Sequence, residues 1–434
     1  MMHFGRNPCL PTLTGFKSNW PRARWWLRFS FLLPMSIGVS APYGLAQTSP
    51  VLPGAMPADP AQRVTQAAQL LRGGQWELAE AILRGVLSQD RANAPATELL
   101  GVIRAHQGNS GEAETLFRES IRLDSSFASA HANLAHLLVI VGRPDEALEE
   151  YSLAVQADPK DKIAIGGFVE LVERQTEADR KNGNNENALG RLLYARKTLP
   201  HEARLAFDFG GLAMEMGLNL EGDSALKEAY ELEPGNTEYL YAYARAEFTR
   251  KQTPSAEQLM RQYLKRMPTD ATAHFTLGRI LQTMGQGVEA RAEFERSIEL
   301  EPQQTESFYQ LGEIDLEQGN LVAATSRFEK VVASNSRHEG AFTGLGIVAY
   351  RQKQYQEAVE SLKTAIGLSA DDSLAHYYYG LTLKRLGQQE EATKELEFAE
   401  RLIEAAKSSK LAHREIQSLP VQVPDGSVPG SPKN

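Results

Sequence analysis

The amino-acid sequence predicts an all-α protein, an α-solenoid built from about ten helix-turn-helix repeats. Three observations predict this fold class. A small residue recurs every 34 residues with a single step of 41, a glycine recurs in the turn ahead of it, and a proline often follows twelve residues after it. Repetition at such a period is typical of solenoids, in which hairpins of helices stack and bury one continuous core.

The repeating unit is clearest in residues 270–304. Gly278 and Ala290 are small and allow the backbones of two successive helices to approach closely, while Gly285 can adopt the positive φ that ends the first helix. Pro302 ends the second helix because it cannot donate a backbone hydrogen bond. The residues equivalent to Ala290 in the other units are Ala79, Ala113, Ala147, Ala188, Gly222, Ala256, Ala324, Ala358 and Ala392.

This period and pattern resemble the tetratricopeptide repeat (TPR) family over residues 61–404. The resemblance implies a right-handed superhelix of about ten TPR helix-turn-helix repeats, and a concave groove that binds proteins or peptides. We place the repeats at residues 60–93, 94–127, 128–161, 162–202, 203–236, 237–270, 271–304, 305–338, 339–372 and 373–404.

Residues 1–46 have the composition of a secretory signal peptide with a basic N-terminal extension. They contain basic but no acidic residues, an apolar run over 29–39, and small residues before a cleavage site between Ala46 and Gln47. We therefore predict export, with a periplasmic or extracellular location after cleavage. An uncleaved signal that tethers the protein to a membrane is the alternative, although Pro34 interrupts the run and its length is about half of a membrane span.

The segments that flank the repeats are predicted to be largely irregular, and the composition excludes several classes of protein. Residues 47–60 read as a flexible linker, and 405–434 as the end of a capping helix followed by a disordered tail. A formal net charge of −9 argues against a nucleic-acid surface. Cys9, the only cysteine, falls in the signal, so we expect no thiol chemistry in the mature chain. We also expect that the mature chain does not insert into a membrane.

The step of 41 falls in the fourth repeat. Residues 173–187 are charged and polar and contain a Gly-Asn-Asn breaker. The seven extra residues predict either two added turns on the first helix or a longer loop. Such an insertion lies on one face of a solenoid and is often near a binding surface; a tolerated surface loop, or a bend that divides the stack into two arms, is the alternative.

The sequence contains no catalytic, cofactor or metal motif, so we do not expect an enzyme. It lacks the zinc-protease helix, the phosphate-binding loop and the nucleophile elbow. His131 and His136 are five residues apart and lie on different helix faces. His274 and His376 occupy equivalent repeat positions, which indicates packing rather than metal binding.

A second pattern predicts where a partner binds. Repeat position 5 is aromatic in most of the C-terminal repeats, and positions 9 and 12 add arginines, a glutamate and further aromatics. In proteins with tetratricopeptide repeats these positions line the concave groove, and aromatic residues and arginine dominate interface energetics. We call this set the aromatic stripe: Phe207, Tyr241, Arg245, Phe248, Phe275, Arg279, Tyr309, Glu313, Tyr350 and Tyr377.

Two functions remain open from the sequence. The first is an exported scaffold that binds a peptide or partner helix in the aromatic stripe. The second is an envelope assembly, export or tethering component that acts through its convex surface or through residues 173–187. Aromatics at position 5 also serve helix packing in the family. Some family members bind acidic chaperone tails in a groove with paired lysine and asparagine residues, and this sequence does not match that groove. The patterns do not encode the identity of the partner or the oligomeric state.

Overall fold

The computed structural model describes residues 59–416, and side chains as far as 408. Over this range the backbone forms twenty α-helices and no strand. The predicted signal peptide, its cleavage site, nearly all of the 47–60 linker and the end of the tail lie outside the described residues. The chain divides into two compact units, unit 1 (Met1–Leu171) and unit 2 (Val172–Asn434).

Unit 1 contains three complete pairs of helices, in which consecutive helices pack against each other. Its core is formed by residues such as Leu83, Leu99 and Phe117, which are fully buried. The helices are α1 Pro60–Arg72, α2 Trp76–Gln89, α3 Ala94–His106, α4 Ser110–Leu123, α5 Ala128–Ile140 and α6 Pro144–Ala157, followed by the start of α7 Lys162–Lys181.

Unit 2 contains the end of α7 and all later helices. Each helix from α8 onward packs against the next one, so that the core continues from pair to pair. The helices are α8 Asn185–Thr198, α9 Ala203–Glu215, α10 Asn219–Leu232, α11 Thr237–Thr249, α12 Thr253–Arg266, α13 Ala271–Thr283, α14 Gly287–Leu300, α15 Thr305–Gln318, α16 Leu321–Ser334, α17 Glu339–Arg351, α18 Tyr355–Leu368, α19 Ser373–Arg385 and α20 Gln389–Ile416.

Side-chain caps define where several first helices of a pair begin. The carboxylate of Asp270 accepts a hydrogen bond from the Ala273 amide, and the Asn93 side chain accepts one from Ala96. Such caps satisfy amide groups that have no partner inside the helix. A residue with positive φ follows the end of the first helix and is glycine in most pairs, as at Gly285, where φ is 76°.

The core confirms the sequence interpretation of the small positions. Ala290, Phe294 and Ser297 of α14 are fully buried, as is the equivalent alanine of every described pair except the fifth, where Gly222 is buried in its place. Gly278 of α13 faces the ring of Phe294. Close approach of the backbones at glycine and alanine therefore leaves room for one large side chain, which is the Phe294 ring here and a leucine, such as Leu226 or Leu362, in other hairpins.

The seven extra residues are helical. α7 has 20 residues, whereas the first helix of the next pair, α9, has 13. The addition is thus about two further turns rather than a loop. Gly183, with a φ of 77°, follows the end of the helix. Seven of the nine residues 173–181 are Glu, Arg, Gln, Ala or Lys, which favour helix even without an apolar period.

Candidate functional site

The aromatic stripe lies on the first helices of the pairs in unit 2. It runs over α9, α11, α13, α15, α17 and α19, and every one of its side chains is half-buried. The stripe breaks in α17, where Thr343 occupies the aromatic position. Thr343 is buried and donates a hydrogen bond to the carboxylate of Asp372 at 2.6 Å, so it belongs to the packed interior.

The rings of the stripe also pack against the second helix of their own hairpin. The ring centroid of Tyr241 lies 5.0 Å from that of Tyr263, and the centroid of Phe275 lies 5.9 Å from that of Phe294. Tilted aromatic pairs at these distances are attractive. Each ring therefore contributes one part to the core and keeps another part accessible.

The neighbouring rings continue the pattern. Tyr309 lies 6.0 Å from Phe328 and 4.7 Å from the imidazole of His338. Phe207 packs 4.8 Å from Tyr239 in the next pair. The position-5 rings thus bridge successive helices. These contacts are the physical basis of the packing function that the sequence had left open.

At the C-terminal end of the stripe the rings pack mainly on each other. Tyr377 stands perpendicular to Tyr378 at 5.5 Å, and Tyr350 lies 5.6 Å from the same ring. Phe248 packs against the core around α11 to α14, while Glu313 on α15 is half-buried. The exposed parts of these side chains are both aromatic and polar.

The two arginines of the stripe sit in different surroundings. The guanidinium of Arg245 lies 5.7 Å from the centre of the Tyr241 ring, within reach of a cation–π interaction. The Tyr241 hydroxyl in turn lies 3.4 Å from the Thr276 hydroxyl. Burial lowers the pKa of Arg279, an effect that the Glu306 carboxylate opposes.

A second concave feature, which we call the α7 cavity, lies at the N-terminal end of unit 2. It measures about 370 Å³; the added turns of α7 form one wall, and α8, α9 and α11 form the others. The sequence predicted extra residues here but not a cavity. Its walls contain Glu173, Thr176, Glu177, Arg180, Leu192, Arg204, Phe207, Asp208, Leu212, Glu238 and Tyr239.

Acidic groups dominate the α7 cavity. Arg204 is bound by Glu173, whose Oε2 accepts a hydrogen bond from Nη2 at 2.5 Å. Arg180 donates to Glu215 at 2.8 Å. Burial raises the pKa of Asp208 to about 6, and the negative charge of Glu238 adds to this rise. The cavity therefore combines negative charge with partial exclusion of water.

The sequence analysis missed a contact that recurs at repeat position 4. The Nδ1 atom of His274 lies 2.6 Å from Glu293, and its Nε2 lies 3.2 Å from the Pro268 carbonyl oxygen. The same arrangement holds the other two histidines at this position, at 2.7 Å for His131–Glu150 and 2.6 Å for His376–Glu395. The constant separation of nineteen residues was the signal that could have revealed these pairs.

The described residues contain no cluster of metal-binding side chains and no helix that could span a membrane. Between residues 59 and 408, the side chains of His, Cys, Asp and Glu do not form a group of three or more that could hold a metal ion. The helices of the described part are also too short or too polar to cross a bilayer.

The sequence is similar to parts of longer proteins of known sequence. The sequence is 25% identical over 249 residues to human protein O-mannosyl-transferase TMTC3, covering 55% of this chain and 26% of that protein. It is 28% identical over 71 residues to the small glutamine-rich tetratricopeptide repeat-containing protein 2 of Mycosarcoma maydis, covering 16% and 20%. The chain thus spans about a quarter or less of these relatives.

Among solved structures, the Cut9–Hcn1 hetero-tetramer of APC/C is similar, with a TM-score of 0.43 and 11% identity over 80% of this chain and 94% of that one. Profiles of the tetratricopeptide repeat match more than half of the sequence, at residues 64–126, 107–162, 207–271, 271–304 and 343–409. The profiles match residues in both units. The matched residues form paired helices that pack around a buried small residue and are joined by a glycine turn. This chain therefore belongs to the tetratricopeptide repeat family.

Proposed function

We propose that this protein is an exported, non-enzymatic scaffold that binds a peptide or a partner helix along the aromatic stripe. Tetratricopeptide repeats form extended binding surfaces for other proteins. One observation supports the stripe as this surface. The half-buried Tyr241 ring lies beside the guanidinium of Arg245, and its hydroxyl lies beside the hydroxyl of Thr276, so that aromatic, cationic and polar groups lie together. Aromatic rings and arginine give large interface energies.

The partial burial of the rings favours this function as well. A ring that is fixed on one side by Tyr263 or Phe294 loses little conformational freedom when a partner covers its other side. Rings of this kind are spaced by one repeat along the stripe. An extended peptide or an amphipathic helix can contact several of them at once, and one aromatic anchor then fits between two neighbouring pairs.

Export rests on the sequence of residues 1–46. Expression of the full chain in a bacterium with a secretion pathway, followed by N-terminal sequencing of the exported product, is expected to give Gln47 as the first residue. A product that begins at Met1 and fractionates with the membrane contradicts cleavage and favours the tethered form.

A peptide selection tests the stripe. Random twelve-residue peptides displayed on phage are selected on the wild-type protein, and the recovered peptides are measured by calorimetry. The variant carries Tyr241→Leu, Phe275→Leu and Tyr309→Leu, because leucine keeps apolar contact with the core and removes the aromatic surface. We expect affinity to fall by about 2 kcal/mol or more.

A matched control separates binding from stability. Tyr230, Phe308 and Phe342 are also half-buried aromatics of unit 2, but they lie outside the stripe. The triple leucine variant of these residues is expected to bind the selected peptides like the wild type. Equal binding by the stripe variant contradicts the proposal and leaves the convex surface or residues 173–187 as the functional region.

A further inference from the structure

We infer that the α7 cavity binds the guanidinium or ammonium group of an arginine or lysine side chain from a partner polypeptide. The inference goes beyond the proposed function, since it concerns a separate cavity that shares only Phe207 with the aromatic stripe. It also assigns a role to the two turns that α7 has in addition to the common repeat.

The charges that line the α7 cavity favour binding of a cation. Its walls have four carboxylates and two guanidinium groups. Each guanidinium group forms its ion pair with another carboxylate, Arg204 with Glu173 and Arg180 with Glu215, and the charge of Arg204 reaches Asp208 and Glu238 only from a greater distance. Within residues 59–408, Asp208 and Glu238 take part in no ion pair. A ligand with a positive charge would satisfy these two carboxylates, whereas an anion would be repelled.

Thr176 provides an independent indication of a ligand. Its side chain is 7% exposed and lines the α7 cavity, yet among the described residues its hydroxyl Oγ1 has no hydrogen-bond partner. Helical threonines elsewhere in the chain donate to the carbonyl four residues earlier, as Thr115 and Thr249 do. Because an unsatisfied buried hydroxyl is unfavourable, an N–H group of a ligand is a suitable partner for Oγ1.

The remaining walls suit a long side chain. Phe207 and Tyr239 pack 4.8 Å apart and form an aromatic wall, and Leu192 and Leu212 add aliphatic surface. Arginine and lysine have apolar stems below their charged ends and stack on aromatic rings. A metal ion fits less well, because the carboxylates of the described residues do not approach one another in a group that could hold one.

Methyl NMR with a small probe tests the inference. The probe is N-acetyl-arginine amide, and its control is N-acetyl-citrulline amide, which has the same shape without the charge. Saturable shifts of the Leu192 and Leu212 methyl groups are expected with the arginine amide, with at least tenfold weaker binding of the citrulline amide. Equal binding of the two amides, or no shift at these methyl groups with the arginine amide, overturns the inference.

Variants locate the binding site. Asp208→Asn with Glu238→Gln is expected to weaken binding of the arginine amide at least tenfold, and Thr176→Val to weaken it severalfold without a change in charge. The control, Glu329→Gln with Glu360→Gln, removes the same charge from exposed residues and should change binding less than twofold. Unchanged binding in the first variant, or equal weakening in the control, overturns the inference.

A replacement variant is available if the double variant does not fold. If circular dichroism shows that the double variant is not folded, Glu238→Gln alone replaces it, because Glu238 is exposed; unchanged binding in that variant also contradicts the site. Equal peptide binding by the stripe variant would contradict the proposed function without affecting arginine amide binding, and loss of arginine amide binding would not affect the stripe, so the two proposals fail separately.

Binding should also depend on pH. The groups that face Asp208 are Glu173 and Arg180 of α7, Arg204 of α9 and Glu238 of α11. Since the pKa of Asp208 is raised to about 6, its carboxylate is lost as the pH falls through this value. Binding of the arginine amide is therefore expected to weaken between pH 7.5 and pH 5.5, and a pH-independent affinity contradicts a role of Asp208.

Discussion

Gly278 of α13 lies so close to Phe294 of α14 that a Cβ atom at Gly278 would come within 2.6 Å of the ring Cε1. The ring occupies the volume that any larger residue would need. The same relation holds in the next hairpin, where a Cβ at Gly312 would lie 2.6 Å from Cε1 of Phe328. In these two hairpins the glycine and the large ring therefore depend on each other.

Gly278→Ala should destabilise the protein. Alanine favours helix over glycine by roughly 0.5–1 kcal/mol, but here the added methyl group overlaps a fully buried ring. We expect a net cost of about 1–3 kcal/mol in the free energy of unfolding, measured by urea denaturation followed by circular dichroism.

Gly211→Ala in α9 is the matched control for this overlap. Gly211 also lies inside a helix, and a Cβ atom there meets nothing within 4 Å. Its substitution should stabilise the protein by roughly 0.5–1 kcal/mol, because only the helix preference changes. If both variants unfold at the same urea concentration, the overlap with Phe294 does not limit this position.

The sequence predicted this part of the fold well because small residues and rings recur with a fixed period. The α-solenoid of paired helices and the burial of Ala290 and Phe294 follow directly from that period. Residues 173–181 have no apolar period, so the sequence left helix and loop open. Their helical state follows instead from residue preference and from the breaker that begins near Gly183.

Lys251→Gly should stabilise the turn between α11 and α12. Lys251 has a φ of 63°, at the turn position that is glycine in most other pairs. A side chain in this left-handed region costs about 1–2 kcal/mol, part of which returns as the greater freedom of glycine in the unfolded chain. We expect a net gain of about 0.5–1 kcal/mol by urea denaturation.

The reverse substitution, Gly285→Lys, provides the comparison for this turn. Gly285 has a φ of 76° and open space around it, so that only backbone strain changes. It should lose about as much stability as Lys251→Gly gains. A loss of stability in Lys251→Gly would mean that the lysine side chain makes a contact that outweighs its strain.

Ser297→Ala should destabilise the hairpin of α13 and α14. The buried Ser297 hydroxyl donates to the Ala271 carbonyl at 2.8 Å and accepts a hydrogen bond from the Ser307 hydroxyl at 2.9 Å. Its removal leaves the buried Ser307 hydroxyl without this partner, at a cost of about 1–3 kcal/mol. The exposed Ser326→Ala, measured by the same denaturation, should change stability by less than about 0.5 kcal/mol.

His131 should titrate above its ordinary pKa. The Glu150 carboxylate at 2.7 Å and the Ser125 carbonyl raise the pKa of His131, and these effects outweigh burial, which lowers it. Asp124 also contributes, while Arg118 lies 3.9 Å from Glu150. The stabilisation from protonated His131 is therefore fully present below about pH 6.5 and is lost as pH rises through the raised pKa of the folded state.

NMR titration of the His131 ring measures this pKa directly. In Glu150→Gln the pKa should fall, because the amide removes the negative charge and leaves the burial. His131→Gln should lose more stability at pH 5.5 than at pH 8 relative to the wild type. An unchanged His131 pKa in Glu150→Gln would show that the carboxylate does not stabilise the imidazolium.

The candidate site was only partly readable from the sequence. Period alone identified Tyr241, Phe275 and Tyr309 as one stripe, but it cannot tell which neighbouring helix a ring contacts. Their contacts with rings of the second helices depend on the crossing of two helices, which is a tertiary property. The sequence did not predict the α7 cavity for the same reason, since its walls come from four helices, α7, α8, α9 and α11, whose arrangement is also a tertiary property.

The length of the addition to α7 has a geometric consequence. Seven residues rotate a helix by about 700°, only about 20° short of two complete revolutions, while advancing it by about 10 Å. The chain consequently leaves α7 at nearly the azimuth at which it would leave a helix of ordinary length. An addition of five residues would rotate this exit by roughly 140°. Growth by whole revolutions is thus a way in which a periodic protein can acquire a new recess without changing the direction in which the chain continues to the next helix.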